Sequence, residues 1–413
     1  NQTIRQLEDP VSTGHQIKMN AHPLMSENID RGDIDQVVEF LQQDPIPRLT
    51  NGPKVEEFEA AWSRWLGVKH SVFVNSGTGA NYMTMHLLRY LHGSCDIIVP
   101  PLTWVSDVAS VINNGHTPIF VDINLCNLSF DINKLRAAIT PNTKAIFLTH
   151  VLGLNGVTDE LLSLCAEKNI LLIEDVCESH GATYRDEKAG TIGQLSNFSF
   201  YFAHHMSTIE GGMVCTNNDE YHDLLRAFRS HGMVRECKRN SFKECVKHAH
   251  PDLNPDFIFL SPAYNMRSSE INAVLGLSQI KKLDDNNKKR QDNFNYFLSK
   301  LDSDKYMTDF NSAGQCNYAL IVMLNPGASI TERDNIEALL DRHLIEHRRG
   351  LSGGGNQLRQ PYIEKYGLNK TEDQLKADFA NVEHVHNYSW YVGNYPTLKK
   401  QKIDTLVNLL NNV

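Results

Sequence analysis

The segment Ser71-Val-Phe-Val-Asn-Ser-Gly-Thr-Gly-Ala-Asn-Tyr-Met-Thr-Met-His-Leu-Leu-Arg-Tyr-Leu91 establishes the local pattern of this chain. It begins with a short β-rich run, Ser71–Val74, passes through a glycine-rich turn, and ends in a helical run, Ala80–Leu91. A strand followed directly by a helix is the repeating unit of α/β proteins, whose sheets are mostly parallel. We therefore expect an α/β fold.

The alternation of β-rich and helical runs continues beyond this segment. Several of the later β-rich runs are continuously apolar, which is typical of strands covered by helices on both faces. Together with Ser71–Val74 they predict a helix-covered sheet of seven strands. The further predicted strands are Ile97–Val99, Ile119–Val121, Ala145–Thr149, Leu171–Ile173, Phe198–Phe202 and Met213–Cys215.

Helical spacing and charge indicate how the rest of the chain is organised. Residues 1–30 have the composition of an irregular arm, and a charged run, Lys281–Arg290, follows the last helix of the α/β region. We predict a large domain over residues 1–290 and a smaller α+β domain over residues 291–413. The predicted helices outside the alternating region are Asp33–Leu41, Val55–Trp65, Ser268–Leu283 and Lys402–Leu410.

Composition excludes several classes of function. The 413 residues carry a net charge of −9, which gives no electrostatic support for nucleic-acid binding. No stretch approaches the roughly 20 apolar residues of a membrane span, and residues 1–10 have no apolar signal-peptide core. Eight scattered cysteines in a chain that can build its own core do not require disulfides. We expect a cytoplasmic protein.

Two motifs after predicted strands could hold a ligand. Ser76-Gly77-Thr78-Gly79 opens a helix, where free backbone N–H groups can bind a phosphate, although a purely structural turn has the same sequence. Trp104 follows the next strand and could stack on a flat ring, or could belong to the core or to an interface. Ligands of open α/β sheets gather at the carboxyl ends of strands, so the two motifs could meet there.

Acidic and imidazole side chains supply the candidate chemistry. Asp175 and Glu178 end the buried strand Leu171–Ile173, where a carboxylate can bind a ligand or simply cap a helix. His204 and His205 lie in the polar turn before Glu210-Gly211-Gly212. A histidine near neutral pH can act as acid and base, although a lone histidine is more often a hydrogen-bonded core residue.

The ordered set of motifs is more specific than its parts. It consists of Ser-Gly-Thr-Gly at 76, Pro-Leu-Thr-Trp at 101, Glu-Asp-x-Cys-Glu-Ser-His-Gly-Ala at 174, Ser-Phe-Tyr at 199, Glu-Gly-Gly at 210 and Ala-Tyr-Asn-Met-Arg-Ser-Ser-Glu at 263. This set resembles the DegT/DnrJ/EryC1/StrS sugar aminotransferases, which are pyridoxal phosphate (PLP) enzymes of fold type I, similar in fold to aspartate aminotransferase. Members usually hold PLP through a lysine, but no lysine occurs between Lys188 and Lys238. In this respect the chain resembles the branch of nucleotide-sugar 3-dehydratases, which use PLP or its amine form, PMP, without a covalent link.

The resemblance implies a role for each matching residue. His205, five residues before Glu210, would stand in the lysine position as the acid/base, and His204 would contact the substrate. The phosphate would be held by Gly77, Thr78 and Ser199. Around the ring, Trp104 would stack, Asp175 would pair with the pyridine nitrogen and Glu178 would lie near the hydroxyl. Asn265 would reach the phosphate of a neighbouring subunit, which implies a homodimer.

Two details separate the branches of this family. The segment Arg348–Pro361 looks closer to enzymes that act on CDP-linked sugars, and Arg359 is our candidate contact for a substrate phosphate, with a surface salt bridge as the alternative. The CDP branch carries a [2Fe-2S] cluster and works with a reductase. Its four cysteine ligands correspond here to Cys177, Arg235, Cys237 and Cys245, and arginine cannot replace a thiolate. We therefore expect no iron–sulfur cluster and no bound metal.

The favoured hypothesis is C3 dehydration of a GDP- or CDP-linked 4-keto-6-deoxy hexose or heptose, as a step toward a 3,6-dideoxy sugar. PMP would react at the C4 ketone, the C3 hydroxyl would leave, and L-glutamate would regenerate PMP. Three alternatives remain open: a reductase-coupled 3-dehydrase with an iron centre, a sugar 4-aminotransferase, and a non-catalytic protein that binds PMP or a sugar nucleotide.

Overall fold

The computed structural model describes residues 22–26 and 28–413, and its central feature is a seven-stranded sheet. The sheet strands are β1 (His70–Val74), β2 (Asp96–Val99), β3 (Thr117–Phe120), β4 (Thr143–Thr149), β5 (Leu171–Asp175), β8 (Leu195–Ser199) and β9 (Gly212–Thr216). A separate hairpin is formed by β6 (Thr183–Tyr184) and β7 (Glu187–Lys188). The strand order is β1-β9-β8-β5-β4-β2-β3. Only β9 runs antiparallel to its neighbours, so the predicted mostly parallel fold is confirmed.

Helices cover both faces of this sheet. Ala145 and Phe147 of β4 pack in one apolar cluster with residues of helices on one side, whereas Ile146 and Leu148 pack in another cluster on the opposite side. This alternation follows from the two-residue period of a strand. The helices of this region are α1 (Arg31–Leu41), α2 (Pro53–Leu66), α3 (Gly77–His92), α4 (Val105–Asn113), α5 (Ile132–Ala138), α6 (Asp159–Lys168), α7 (Asp219–Arg229), α8 (Asn240–Ala249) and α9 (Glu270–Gln279).

A second, smaller sheet lies toward the carboxyl end of the chain. It has the order β10-β12-β11, with all pairs antiparallel, formed by β10 (Ala319–Met323), β11 (His347–Arg349) and β12 (Ser389–Gly393). Trp390 and Ile403 belong to the apolar cluster around this sheet. Its helices are α10 (Leu283–Leu298), α11 (Ile330–Arg342), α12 (Pro361–Lys365), α13 (Glu372–Asp378), α14 (Ala380–Tyr388) and α15 (Lys400–Asn411).

Several predicted elements have different bounds in the structure, and two of these differences bear on the site and on the domain boundary. The strand predicted at Phe198–Phe202 is β8, Leu195–Ser199, because the polar residue Asn197 is accommodated in the sheet by hydrogen bonds from and to buried side chains. Tyr201 and Phe202, which looked like strand residues, are exposed after the strand has ended. The helix predicted at Ser268–Leu283 stops at Gln279, and a 3-10 turn over Ile280–Lys282 separates it from α10.

The predicted domain boundary near residue 290 falls inside α10. Leu283, near the start of this helix, packs against the core beside α2 and α9, whereas Phe294 and Phe297 pack in the cluster of the smaller sheet. A boundary within α10 remains our proposal. The predicted arm lies largely outside the described residues. None of the helices in the described part of the chain combines the length and apolar character needed to cross a membrane.

Candidate active site

A cavity of about 350 Å³ opens at the carboxyl ends of the parallel strands. Thr149 ends β4, Asp175 ends β5 and Ser199 ends β8, and all three line the cavity. Strand ends of a parallel sheet meet at one edge, so residues far apart in sequence come together there. The cavity also brings together seven of the residues predicted from sequence: Gly77, Thr78, Trp104, Asp175, Glu178, Ser199 and His204.

One end of the cavity is formed by the N-terminus of α3. Ser76 caps this helix, and its Oγ accepts a hydrogen bond of 2.9 Å from the backbone N–H of Gly79. The next residue, Gly77, packs so closely that an added Cβ would lie 2.6 Å from Cβ of Ser199. The first N–H groups of a helix have no partner within the helix and attract anions. Together with Thr78 and Ser199, this end of the cavity suits a phosphate group.

The middle of the cavity presents a carboxylate and an aromatic face. Asp175 is buried, and its Oδ1 accepts a hydrogen bond of 2.8 Å from the backbone N–H of Cys177. Trp104 precedes α4 and keeps 56% of its surface exposed although it lines the cavity. An exposed indole at a cavity wall provides a platform for a flat ring, and a carboxylate can pair with a protonated ring nitrogen.

Glu178 lines the cavity beside Asp175 but is held by the protein on both oxygens. Its Oε2 accepts the backbone N–H of Leu152 at 2.9 Å, and its Oε1 accepts the hydroxyl of Ser352 at 2.8 Å. Burial raises the pKa of Glu178 to about 7, while the two hydrogen bonds act in the opposite direction. Glu178 is therefore shared between its proton-bound and ionised forms near neutral pH.

The two histidines of the turn between β8 and β9 lie in different surroundings. His204 lines the cavity, and its Nδ1 is buried without a hydrogen-bond partner. Burial lowers the pKa of His204 to about 4, although Asp175 acts in the opposite direction. The imidazole is therefore neutral near pH 7, which is the form that accepts a proton.

His205 is buried and is not among the residues lining the cavity. Its Nε2 lies 2.7 Å from the backbone oxygen of Cys316, to which it donates, and its ring stacks 5.2 Å from that of His180. The prediction that His205 occupies the reacting position is therefore corrected by the geometry. Successive side chains in this irregular turn point to different sides, and only the ring of His204 faces the cavity.

The smaller sheet contributes residues that sequence analysis did not identify individually. Tyr318, directly before β10, and Tyr391, in β12, both line the cavity, as do Ser352 and Gly353 of the turn after β11. Ser352 and Gly353 belong to the segment Arg348–Pro361, in which the sequence pointed only to Arg359 as a substrate contact. The tyrosines carried no signal, because their sequence context is that of ordinary core strands.

Arg359 lies outside the cavity, and its guanidinium is bound by two carboxylates. Its Nε donates to both carboxylate oxygens of Glu383, at 2.8 and 3.0 Å, and its Nη1 and Nη2 donate to Glu372 at 3.0 Å each. These carboxylates raise the pKa of Arg359. This geometry corresponds to the alternative that the sequence left open, a salt bridge, rather than to a substrate-phosphate contact.

Asn265 is exposed and outside the cavity of its own chain. Its backbone pairs with that of Ser230, which leaves the side chain at the surface. The role expected from the resemblance, a contact with a neighbouring subunit, stays a prediction.

The cysteines considered for a cluster lie in separate surroundings. Cys177 lines the cavity, the Sγ of Cys237 lies 3.5 Å from the backbone oxygen of Asp223, and Cys245 is exposed on α8. Among residues 22–26 and 28–413, no group of three or more His, Cys, Asp or Glu side chains is arranged to hold a metal ion.

The lining of the cavity fits PLP or PMP. A close-packed helix N-terminus with hydroxyl groups suits the phosphate, the exposed indole of Trp104 suits the ring face, and Asp175 suits the pyridine nitrogen. No lysine lines this cavity in the described part of the chain. The arrangement is therefore suited to a cofactor bound without a covalent link.

Comparison with known proteins gives matches across nearly the whole chain. The DegT/DnrJ/EryC1/StrS aminotransferase family matches residues 27–411. GDP-4-keto-6-deoxy-D-mannose 3-dehydratase of Yersinia pseudotuberculosis is 28% identical over 395 residues, which cover 94% of this chain and 98% of that protein. UDP-4-amino-4,6-dideoxy-N-acetyl-beta-L-altrosamine transaminase of Campylobacter jejuni is 32% identical over 324 residues, covering 76% of this chain and 79% of the transaminase.

Solved structures with the same fold contain PLP. GDP-4-keto-6-deoxy-D-mannose-3-dehydratase of E. coli with bound hydrated PLP has a TM-score of 0.83 at 28% identity, covering 95% of this chain and 100% of that one. A GDP-4-keto-6-deoxymannose-3-dehydratase with a trapped PLP-glutamate geminal diamine has a TM-score of 0.82 at 27% identity, covering 94% and 100%.

Proposed function

The chain belongs to the DegT/DnrJ/EryC1/StrS aminotransferase family, and we propose that it is a PLP/PMP-dependent 3-dehydratase of a nucleotide-linked 4-keto-6-deoxy sugar. The reaction removes the C3 hydroxyl and, after hydrolysis, gives a 3-deoxy-4-keto sugar and ammonia. The observation that carries this proposal is the lining of the cavity. His204 lies there with Asp175 and Trp104, and none of the described residues that line it is a lysine. An imidazole moves protons but cannot hold the cofactor covalently as lysine does.

The relatives support the choice of substrate and donor. The 3-dehydratases named above act on a GDP-linked 4-keto-6-deoxy sugar, and one of them was trapped with glutamate on its PLP. A GDP-linked sugar is therefore the first substrate to test, a CDP-linked sugar the second, and L-glutamate the first amino donor.

Different residues of the cavity would bind different parts of the cofactor. Gly77, Thr78 and Ser199 hold the phosphate at the N-terminus of α3, Trp104 packs on the ring, and Asp175 pairs with the ring nitrogen. Bound PMP supplies an amine that reacts with a ketone and a protonated pyridine ring that withdraws electrons. Glu178 lines the same cavity as Asp175 and would lie near the ring hydroxyl of the bound cofactor.

His204, rather than His205, carries the proton transfers in this proposal. Its imidazole is neutral near pH 7 and lines the cavity, so it can accept a proton there and then donate it to the departing C3 hydroxyl. The phenol groups of Tyr318 and Tyr391 line the same space. We propose that they exclude water from one side of the substrate.

A sugar 4-aminotransferase is the second candidate, because the C. jejuni relative is a transaminase with a somewhat higher identity than the dehydratases. The two functions differ in the fate of nitrogen. A dehydratase releases ammonia, whereas an aminotransferase leaves the amine on C4 of the sugar.

The test is product analysis with purified protein, PLP, L-glutamate and GDP-4-keto-6-deoxymannose. The proposal predicts a 3-deoxy-4-keto sugar with one oxygen atom fewer than the substrate, and one ammonia and one 2-oxoglutarate for each product molecule. A 4-amino sugar without ammonia would replace the proposal by the aminotransferase function.

Two further outcomes address the remaining alternatives. Turnover that requires NADH and a reductase instead of glutamate would identify the reductase-coupled hypothesis. Tight PMP binding with no product from either the GDP- or the CDP-linked sugar would identify a non-catalytic binding protein.

A further inference from the structure

A second carboxylate, Asp107, lies directly behind Asp175. It belongs to the first turn of α4, and its side chain has no exposed surface. Thr149, which stands opposite Asp175 on the neighbouring strand, donates a hydrogen bond of 3.1 Å to Oδ2 of Asp107, so the two carboxyl groups lie within reach of each other. Asp175 lines the cofactor cavity, whereas Asp107 is absent from the lining. The two side chains thus form a buried pair of which one member faces the cavity.

The surroundings of Asp107 contain neutral donors. Its Oδ2 accepts hydrogen bonds from the hydroxyls of Thr103 at 2.6 Å and Thr149 at 3.1 Å, and its Oδ1 accepts the side-chain amide of Asn81 at 2.7 Å. Across residues 22–26 and 28–413, no lysine, arginine or histidine forms an ion pair with Asp107. Burial and the neighbouring Asp175 both raise the pKa of Asp107 well above its usual value.

Two carboxylates in buried contact do not both stay ionised, because their charges repel and neither is solvated. One proton is therefore retained by the pair. Asp175 is the better site for the negative charge, since it accepts a backbone N–H and borders the cavity, while Asp107 is enclosed by neutral groups. A protonated carboxyl still accepts hydrogen bonds from Thr103 and Asn81 while donating one of its own.

We infer that Asp107 is a neutral carboxylic acid that donates its proton in a hydrogen bond to Asp175, and that this bond fixes Asp175 as a carboxylate oriented toward the cofactor. Asp107 is therefore a positioning residue, which acts on the pyridine nitrogen only through Asp175. The second part of this inference rests on the proposed function, whereas the protonation of Asp107 is a property of the cofactor-free chain.

Infrared spectroscopy of the cofactor-free protein tests the protonation directly. A carboxylic acid has a C=O stretching band separate from the carboxylate bands, and this band shifts in D₂O. At about pH 8, above the pKa of about 7 that Glu178 has in the folded protein, we expect the acid band in the wild type and its loss in Asp107→Asn. Asp33→Asn is the matched control, because Asp33 is equally buried but paired with Lys282 at 2.8 Å, so the band remains.

Cofactor binding tests the positioning role. An asparagine at 107 keeps a donor for Asp175 and an acceptor for Thr103, so Asp107→Asn binds PMP within about threefold of the wild type. An alanine removes both, and we expect PMP affinity to fall about tenfold or more in Asp107→Ala. Nitrogen NMR of ring-labelled PMP reports whether the pyridine nitrogen remains protonated, which we expect in the wild type and in Asp107→Asn.

The two parts of the inference can fail separately from the proposed function. An acid band that is absent from the wild type, or that survives in Asp107→Asn, overturns the assignment of the proton to Asp107. Equal PMP binding by Asp107→Asn and Asp107→Ala overturns the positioning role. If the wild type does not bind PMP while the acid band behaves as expected, the proposed function fails and the proton assignment stands. The infrared result with Asp107→Asn remains decisive even if Asp107→Ala does not fold.

Discussion

Glu174 and Asp175 are adjacent carboxylates at the end of β5, yet they face opposite sides of the sheet. Glu174 is buried away from the cavity, where it accepts the backbone N–H groups of Gly190 at 2.7 Å and Gly193 at 2.6 Å and contacts His150. Asp175 faces the cavity because side chains alternate along a strand. One residue therefore fixes a loop, and its neighbour is available to a ligand.

The neighbouring imidazoles of His204 and His205 give the sharpest prediction at this scale. His204→Asn removes the imidazole of the pair that lines the cavity, and we expect kcat for dehydration to fall about a hundredfold or more. His205→Asn is the matched control. It removes a buried bond to the backbone of Cys316, so we expect a lower melting temperature with kcat retained within about tenfold.

Single-turnover rates with preloaded PMP separate the two histidine variants from defects in cofactor loading. A collapse of the rate in His205→Asn, with His204→Asn still active, would return the acid/base role to His205.

Glu178 predicts a specific pH dependence of stability. Its pKa is about 7 in the folded protein, against an ordinary value of 4.5. The folded state therefore binds this proton more tightly than the unfolded state, and the resulting stabilisation is complete below about pH 4.5. That contribution is lost as pH rises to about 7, by on the order of 3 kcal/mol. Glu178→Gln should lack this slope. Urea unfolding of cofactor-free wild type and variant between about pH 4 and 8 measures the difference.

If the free energies of unfolding of the wild type and Glu178→Gln changed in parallel across that range, Glu178 would not be the group that binds the proton.

At the scale of elements, the turn from β1 into α3 couples the sheet to the phosphate end of the cavity. A Cβ on Gly77 would lie 2.6 Å from that of Ser199, so Gly77→Ala pushes the helix N-terminus away from β8. Overpacking of this kind costs about 1–3 kcal/mol. We expect PMP affinity to fall about tenfold, and binding of pyridoxamine, which lacks the phosphate, to change less.

Gly32→Ala in α1 is the control for this change, since an added Cβ there meets only the side chain of Asp30 at 3.3 Å. Equal losses for PMP and pyridoxamine in Gly77→Ala would show that the helix N-terminus does not hold the phosphate. Isothermal titration calorimetry gives both affinities.

The turn between β8 and β9 is held by α9 rather than by its own sequence. The side chain of Asn272 donates to the backbone oxygen of Thr208 at 2.6 Å, and Gln279 accepts the backbone N–H of Ser207 at 3.2 Å. These contacts, from residues more than sixty positions away in the chain, fix the path of the turn that presents His204. The orientation of His204 therefore depends on the docking of α9.

At the scale of the whole molecule, the smaller sheet region completes the cavity through the bond from Ser352 to Glu178. This hydroxyl stabilises the ionised carboxylate, so Ser352→Ala should raise the pKa of Glu178 above its value of about 7. The expected result is a shift to higher pH in the stability profile described for Glu178. Ser299→Ala, an exposed serine that bonds only to Tyr296, is the control and leaves the profile unchanged.

The predicted homodimer is tested by mixing two inactive variants. Asp175→Asn disables the cavity of its own chain, and Asn265→Ala should disable the cavity of the neighbouring chain. In a mixed dimer, one cavity then has both residues intact, so refolding the two variants together should restore dehydration. If activity does not return although mixed dimers are detected by native mass spectrometry, Asn265 does not serve a neighbouring subunit.

The seven-stranded α/β fold and most of the cavity wall can be predicted from the amino-acid sequence alone. Gly77 and Trp104 follow strands, and Asp175 and Ser199 end them. The carboxyl ends of parallel strands lie at one edge of the sheet, so these positions meet there. The absence of lysine between Lys188 and Lys238 could also be seen directly. These features depend on local periodicity and on the order of motifs, and both can be read from the amino-acid sequence.

Two features of the site could be seen only in the tertiary structure. One is which of the two neighbouring histidines faces the cavity, and the other is which carboxylates bind Arg359. His204 and His205 lie in an irregular turn without periodicity, so their directions are set by α9 and by the carbonyl of Cys316. Arg359 is neutralised by Glu372 and Glu383, which no sequence pattern connects to it. The proximity of Asp107 and Asp175 also results from tertiary packing, since the two residues lie on different elements of the fold.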